Sequence, residues 1–241
     1  MKTPRIIEAF RKIKRADFLP EDMKDLAELN EALPIGYGQT ISQPLVVAFM
    51  IELLEPKEGE KILDIGSGSG WTTTLLAEII GENGKVIAIE VVPELKEFGE
   101  KNVSKYNFLA PHRTCLPRRE LVLLRGSGAG IEKGTVEFIC ADGSKGHKQE
   151  APYDKILASA SVYPVRNKIS NGARNLPPAW KEQLKIGGRI VTPIGNSIWL
   201  FIKKGENEGD EPSVHLHSAL KGFVFEEIEY PGFVFVPLIE K

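Results

Sequence analysis

The chain has 241 residues, with 31 lysines and arginines against 33 acids and a formal net charge of −2. That length suits one domain of ordinary size with a substantial core, and apolar and charged fractions of 42% and 27% are those of a folded, water-compatible protein. The near-balance of charge argues against a dedicated nucleic-acid binder, which usually carries a basic surplus, although a local basic patch is compatible with it. The opening MKTPRIIEAFRKIKRADF has early positive charge but no apolar run of signal-peptide length, and no stretch reaches the roughly 20 apolar residues of a membrane helix. Cys115 and Cys140 form no CxxC pair. Two free thiols in a reducing cytoplasm are the expectation, with no membrane association.

In chain order, Ile6, Ile7, Phe10 and Ile13 give one apolar side between charged residues and predict a short surface helix, with Phe18 and Leu19 continuing it less regularly. Pro4 sits where a first turn accepts proline, and Pro20 marks a stop. Residues 21–31 form a second charged, weakly amphipathic stretch. The segment LPIGYGQTISQP at 33–44, with two glycines and two prolines around Thr40 and Ser42, predicts an ordered loop rather than a regular element. Beyond Pro44, VVAFMIELL repeats apolar residues at helical spacing.

From Lys61 the pattern changes. Strands are predicted over 62–65, 86–89, 136–140, 153–158 and 189–192, then over 198–202, 214–216 and 223–228. Helices are predicted over 71–80, 94–106 and 180–184, with turns at GENG (81–84) and at Gly187 and Gly188. Alternating strands and helices imply an α/β fold, a largely parallel central sheet with helices on both faces. Short turns in the last third imply antiparallel C-terminal strands. Two basic segments, 109–134 and 163–178, interrupt this rhythm and read as surface insertions. The expected organisation is a single domain over 1–241: a helical segment and loop over 1–43, then the core over 44–241.

The most informative run is KILDIGSGSG at 61–70, leading into WTTTLLAEII. A strand ending in closely spaced glycines lets the chain turn sharply and lets a ligand approach bare backbone, while the following helix presents unpaired N–H groups. Such turns at strand carboxyl ends are where open sheets bind nucleotides. Gly66, Gly68 and Gly70 give GxGxG, but position 71, where a dinucleotide fingerprint needs its third glycine, is tryptophan. No GK[ST] run follows, so this is no triphosphate loop. Asp64 would repel a pyrophosphate yet can receive an ammonium group. Glu90 ends the second strand, where an acid can accept both ribose hydroxyls, and Asp142 and Gly143 follow the third, where they can complete an adenine edge. Each has a plain structural alternative: a turn for the glycines, a solvated strand-end acid for Glu90, a helix cap for Asp142. Three such features at successive strand ends point to adenosine bearing a charged amino-acid tail.

At this point the chain resembles the protein-L-isoaspartate (D-aspartate) O-methyltransferases, repair enzymes within the Rossmann-like class I methyltransferases that use S-adenosylmethionine. LPIGYGQTISQP is similar to the segment that distinguishes this family, KILDIGSGSGW to its first cofactor motif and VIAIEVVPEL to its second. VEFICADGSKG, APYDKILASA, PPAWKEQLKIGGRIVTPIG and FVFVPLI also fit. The resemblance implies that Ser42 acts at the active site, with Thr40 and Ile41 shaping the substrate pocket. It implies that Asp64, Gly66 and Gly68 hold the methionine end of S-adenosylmethionine, Glu90 the ribose, and Asp142 and Gly143 the adenine. It further implies S-adenosylhomocysteine as product, isoaspartyl-containing proteins and peptides as partners, a monomer, and neither nucleic acid nor metal. Relatives usually carry Ala-Tyr-x-Asp where this chain has Ala27, Glu28, Leu29 and Asn30, and run more directly through both insertions.

The implied chemistry is attack of an isoaspartyl carboxylate on the sulfonium methyl. A carboxylate with a pKa near 4 is already ionised, so no strong base is needed, and Ser42 would orient it as a hydrogen-bond donor. Three other readings stay open: a related methyltransferase acting on a small molecule or on RNA, a non-catalytic S-adenosylmethionine-binding protein and, more distantly, a nicotinamide oxidoreductase. His215 and His217 share one face of a predicted strand but lack a clear third metal ligand.

Overall fold

The computed structural model describes residues 2–109, 135–161, 176–205 and 223–235. The insertions at 109–134 and 163–178 lie almost wholly outside these residues. So do the predicted strand at 214–216, His215, His217 and Cys115.

The chain opens with helix α1 (Pro4–Lys12), which buries Ile6 and Ala9. The residues before it are anchored from outside: Glu52 accepts hydrogen bonds from the backbone N–H groups of Lys2 and Thr3 and from the Thr3 hydroxyl. Phe18 and Leu19 do not extend this helix. Arg15–Phe18 and Glu21–Leu26 are short 3-10 helices separated at Pro20, whose fixed φ and missing N–H break the run. The segment at 33–44, expected to be irregular, contains a hairpin. Strands β1 (Leu33–Gly36) and β2 (Gln39–Ile41) pair antiparallel across Gly36, Tyr37 and Gly38, all at positive φ. Glycines read as loop markers are here the means of making a tight turn.

Helix α2 (Pro44–Leu54) then leads into the core: β3 (Lys61–Ile65), α3 (Trp71–Ile80), β4 (Lys85–Glu90), α4 (Pro93–Ser104), β5 (Val136–Cys140) and β6 (Tyr153–Ala158). Helix α5 (Pro178–Gln183) precedes β7 (Leu184–Ile194), β8 (Ser197–Gly205) and β9 (Val224–Pro231). The seven strands lie in the order β5-β4-β3-β6-β7-β8-β9. Strands β5 to β7 across this order are parallel, and β7-β8 and β8-β9 are antiparallel, as the short late turns predict. Gly187 and Gly188 do not form the expected turn between a helix and a strand. Strand β7 runs through them, with its register against β6 shifting between Tyr153↔Leu184 and Lys155↔Arg189. A bulge absorbs the Gly187 left-handed φ without ending the strand.

Alternation along the strands fills both faces. Ile62, Val86, Ala88, Leu157 and Val191 pack with α1 to α4, while Leu63, Ile65, Ile87, Ile89 and Ile156 pack with Trp180 of α5. Strand order reverses at β3, whose neighbours are β4 on one side and β6 on the other. A crevice at the carboxyl ends of β3 and β6 follows from that topology. No helix among the described residues is long and apolar enough to cross a membrane.

Candidate active site

The crevice is an open cleft of about 750 Å³, solvent at its mouth included. One wall is Gln39 to Ser42 with Ile35. The other is the glycine turn from Ile65 to Ser69, with Trp71 and Thr72, Ile89 to Val91, Ala141, Gly143, Ser159 and Ala160. Of the residues singled out in the sequence, Thr40, Ile41, Ser42, Gly66, Gly68, Glu90 and Gly143 therefore share one cavity. Asp64 and Asp142 stand behind its surface, each one residue from a lining position.

The glycine turn has a clear physical basis. Gly66, Gly68 and Gly70 all adopt positive φ, a conformation that side chains disfavour. The amides of Gly66 and Ser67 donate to the Ile89 carbonyl, and the Asn102 amide holds the Ser69 carbonyl. At Gly70 a Cβ would come within 2.9 Å of the Gly99 carbonyl oxygen and 2.8 Å of Val103. The close packing that a dinucleotide site obtains from glycine at the next position is thus made one residue earlier, against α4, and Trp71 is free to pack elsewhere. Its ring meets Phe10 edge-on at 5.7 Å and lies under the Arg15 guanidinium. It packs on the N-terminal helical segment as well as lining the cleft.

The acids differ sharply. Glu90 accepts three backbone hydrogen bonds, from Gly68 at 2.9 Å, Val91 at 2.9 Å and Val92 at 3.0 Å, and it lines the cleft. Asp64 is fully buried. The Thr73 hydroxyl donates to its Oδ2 at 2.6 Å, while Oδ1 is without a hydrogen-bond partner among the described residues. Burial pushes its pKa up to about 7, opposed by Thr73 and assisted by the negative charge of Glu90. Asp142 accepts from the Ser144 amide at 2.9 Å as the cap of a 3-10 turn and pairs with Lys145 at 3.2 Å. Gly143 presses on β3 so closely that a Cβ would fall 2.4 Å from Ile65. Its lack of a side chain brings the turn down to the cleft floor.

Two buried polar atoms in the cleft wall, the Ser67 hydroxyl and the Trp71 indole N–H, have no hydrogen-bond partner among the described residues. Buried polar groups are normally paired, so a polar ligand that accepts from them suits this wall. Together with a strand-end carboxylate and glycine backbone, the donor set fits an adenosine carrying a zwitterionic tail.

Ser159 and Ala160, expected near the rim at the end of β6, line the cleft. Two features have no counterpart in the sequence reading. Thr73 is visible only through its contact with Asp64. Arg15, read merely as one of several basic residues, is buried and donates to four backbone carbonyls, including that of Ser42. A single arginine in a charged stretch gives no periodic signal of such a role.

A family model for protein-L-isoaspartate (D-aspartate) O-methyltransferase matches residues 1–219. Among curated relatives, the protein-L-isoaspartate O-methyltransferase 2 of Archaeoglobus fulgidus is 40% identical over 207 residues, covering 86% of this chain and 78% of that protein. The protein-L-isoaspartate O-methyltransferase of Methanopyrus kandleri is 36% identical over 212 residues, with the same coverage of each. A solved protein-L-isoaspartate O-methyltransferase superposes with a TM-score of 0.70 at 23% identity, covering 98% of this chain and 61% of that longer one. That likeness speaks for the fold.

Proposed function

The chain belongs to the protein-L-isoaspartate (D-aspartate) O-methyltransferase family, and on that premise we propose that it methylates the free carboxylate of L-isoaspartyl and D-aspartyl residues in damaged proteins and peptides. The observation that carries this reading is the shared cleft, in which Ser42 on the hairpin faces the glycine turn and Glu90. S-adenosylmethionine, when bound, supplies a methyl group on a positively charged sulfur. A substrate carboxylate oxygen forms the new O–CH3 bond as the S–CH3 bond breaks, giving a methyl ester and S-adenosylhomocysteine.

In this reading Glu90 receives the ribose hydroxyls, Gly66 and Gly68 let the amino-acid tail approach the backbone, and Gly143 bounds the adenine. Asp64 acts on the ammonium end from beneath the surface, and Asp142 shapes the adenine edge through the turn that it caps. The Ser42 hydroxyl donates to one oxygen of the substrate carboxylate and aims the other, with Thr40 and Ile41 closing the pocket. That carboxylate is ionised at neutral pH, so the protein's contribution is alignment and exclusion of water, where effective-molarity effects reach roughly 7–11 kcal/mol at most. The ester then closes to a succinimide that reopens partly to normal aspartate, which makes the methylation a repair step.

The test separates this function from methylation of another substrate. With labelled S-adenosylmethionine, an isoaspartyl peptide should gain a methyl ester and then yield succinimide, while total RNA stays unlabelled. Labelled RNA beside an inert peptide would overturn the proposal. Tight cofactor binding with no product from any isoaspartyl peptide would leave a binding protein instead.

A further inference from the structure

Arg15 occupies an unusual position for an arginine. Only 6% of it is exposed, although it lies in a short 3-10 helix near the start of the chain. Its Nη1 donates to the carbonyls of Ala27 and Leu29, both at 3.0 Å, and its Nη2 to those of Glu31 at 2.7 Å and Ser42 at 3.2 Å. The guanidinium carbon stands 5.4 Å from the centre of the Trp71 ring. One side chain therefore ties the turn at 27–31 to the backbone of Ser42 and rests on a residue of the opposite cleft wall. A second tie runs beside it: Asn30 Oδ1 accepts from the Leu45 amide at 3.0 Å, at the first turn of α2. No side chain of α2 itself caps that turn.

Burying a guanidinium is costly unless its N–H groups are paired; here four carbonyls from two segments of the chain pair Nη1 and Nη2, while Nε has no partner among the described residues. Three of the four belong to the turn at 27–31, and the fourth belongs to the residue placed in the substrate site. We infer that Arg15, assisted by Asn30, is a positioning residue that fixes the substrate wall of the cleft, setting where the Ser42 hydroxyl stands without touching substrate. This rests on the function proposed above. It also assigns a use to Asn30, whose Oδ1 holds the Leu45 amide; aspartate would offer the same oxygen.

The effect should fall on peptide and not on cofactor. The glycine turn is held by Ile89, Glu90 and Asn102, and Trp71 keeps Phe10 against its ring. Lysine at 15 keeps the charge but cannot span four carbonyls with one ammonium. Arg15→Lys is expected to raise the KM for an isoaspartyl peptide at least tenfold, with the Kd for S-adenosylhomocysteine changed less than twofold. Asn30→Ala is expected to raise the same KM about threefold, and Asn30→Asp to restore it. Hydrogen exchange at the amides of residues 39–43 should quicken in Arg15→Lys and Asn30→Ala, with residues 62–76 unchanged. Exchange needs no turnover, so an inactive parent would count against the proposed function while the exchange result still judges the clamp. If Arg15→Lys does not fold, the Asn30 pair decides. Unchanged KM and exchange, or cofactor Kd weakening in step with peptide KM, would overturn the inference.

Discussion

The glycine turn and the hairpin face each other across one cleft, yet they are held in different ways. On the turn side, conformation is local. Three glycines within five residues take positive φ, and the turn is held by bonds to β4, to Glu90, to Asn102 of α4 and within the turn itself, from the Gly70 amide to the Ser67 carbonyl. On the hairpin side only three residue pairs join β1 to β2, and the backbone of Ser42 is held by one hydrogen bond from Arg15, 27 residues away in sequence. A rigid parallel sheet positions the proposed cofactor wall, and a side chain reaching to backbone positions the proposed substrate wall. Cofactor affinity and peptide affinity should therefore respond to different mutations.

The sharpest break of this contrast is at Gly70. Gly70→Val places a branched side chain at φ +84, with its Cβ within 2.9 Å of the Gly99 carbonyl. Strain and overpacking together should cost roughly 5 kcal/mol. Thermal unfolding and titration with S-adenosylhomocysteine should show a large loss of stability and of cofactor binding; near-parental values for both would mean that the turn tolerates what the geometry forbids.

Asp64 gives the next largest effect. Its folded pKa of about 7 lies above the unfolded value near 4, so the protonated form is favoured by folding. Its contribution to stability is fully present below pH 4, is lost as pH rises to about 7, and is constant above that. The loss is about 4 kcal/mol. Asp64→Asn should flatten this part of the stability profile relative to the parent, and parallel profiles would show that burial does not raise this group. Calorimetric titration with S-adenosylhomocysteine at pH 7, in two buffers of different ionisation heat, should reveal proton release if the ligand's ammonium lowers that pKa. Equal heats would remove Asp64 from the cofactor wall.

Ser42→Ala probes the other wall. Removing one donor to a charged acceptor is expected to lower kcat/KM for an isoaspartyl peptide by about 2 kcal/mol, roughly 30-fold, with cofactor affinity unchanged. Equal activity of mutant and parent would take Ser42 out of the reaction. The smallest effect is at Asn30. Asn30→Asp places a negative charge at the first turn of α2 and should add about 0.5 kcal/mol of stability at low salt, fading as salt is raised. No change in melting temperature at any ionic strength would show that this end of α2 does not respond to the charge.

How much of this was legible beforehand follows the same division. The strand at 61–65, the GxGxG spacing, Glu90 and Gly143 could be read from neighbouring residues because the structure they specify is local. The hairpin was read as a loop, since strands of four and three residues leave almost no alternation to detect. The bulge at Gly187 and Gly188 was read as a turn because two glycines signal either, and only pairing with β6 decides between them. Arg15 was illegible for a stronger reason: its partners are carbonyl oxygens, which every residue has, so no pattern of residue types could announce them. The burial of Asp64 likewise depends on what α3 brings over it. The resemblance to a methyltransferase family reached across these gaps, since LPIGYGQTISQP at 33–44 carried it whatever backbone it adopts.

The most direct measurement of the central claim is labelled methyl transfer from S-adenosylmethionine to a pair of peptides identical except for one isoaspartyl or aspartyl residue. Incorporation is expected into the isoaspartyl peptide alone, as a base-labile ester. Equal labelling of the two peptides, or labelling of neither by a protein that binds S-adenosylhomocysteine, would contradict it.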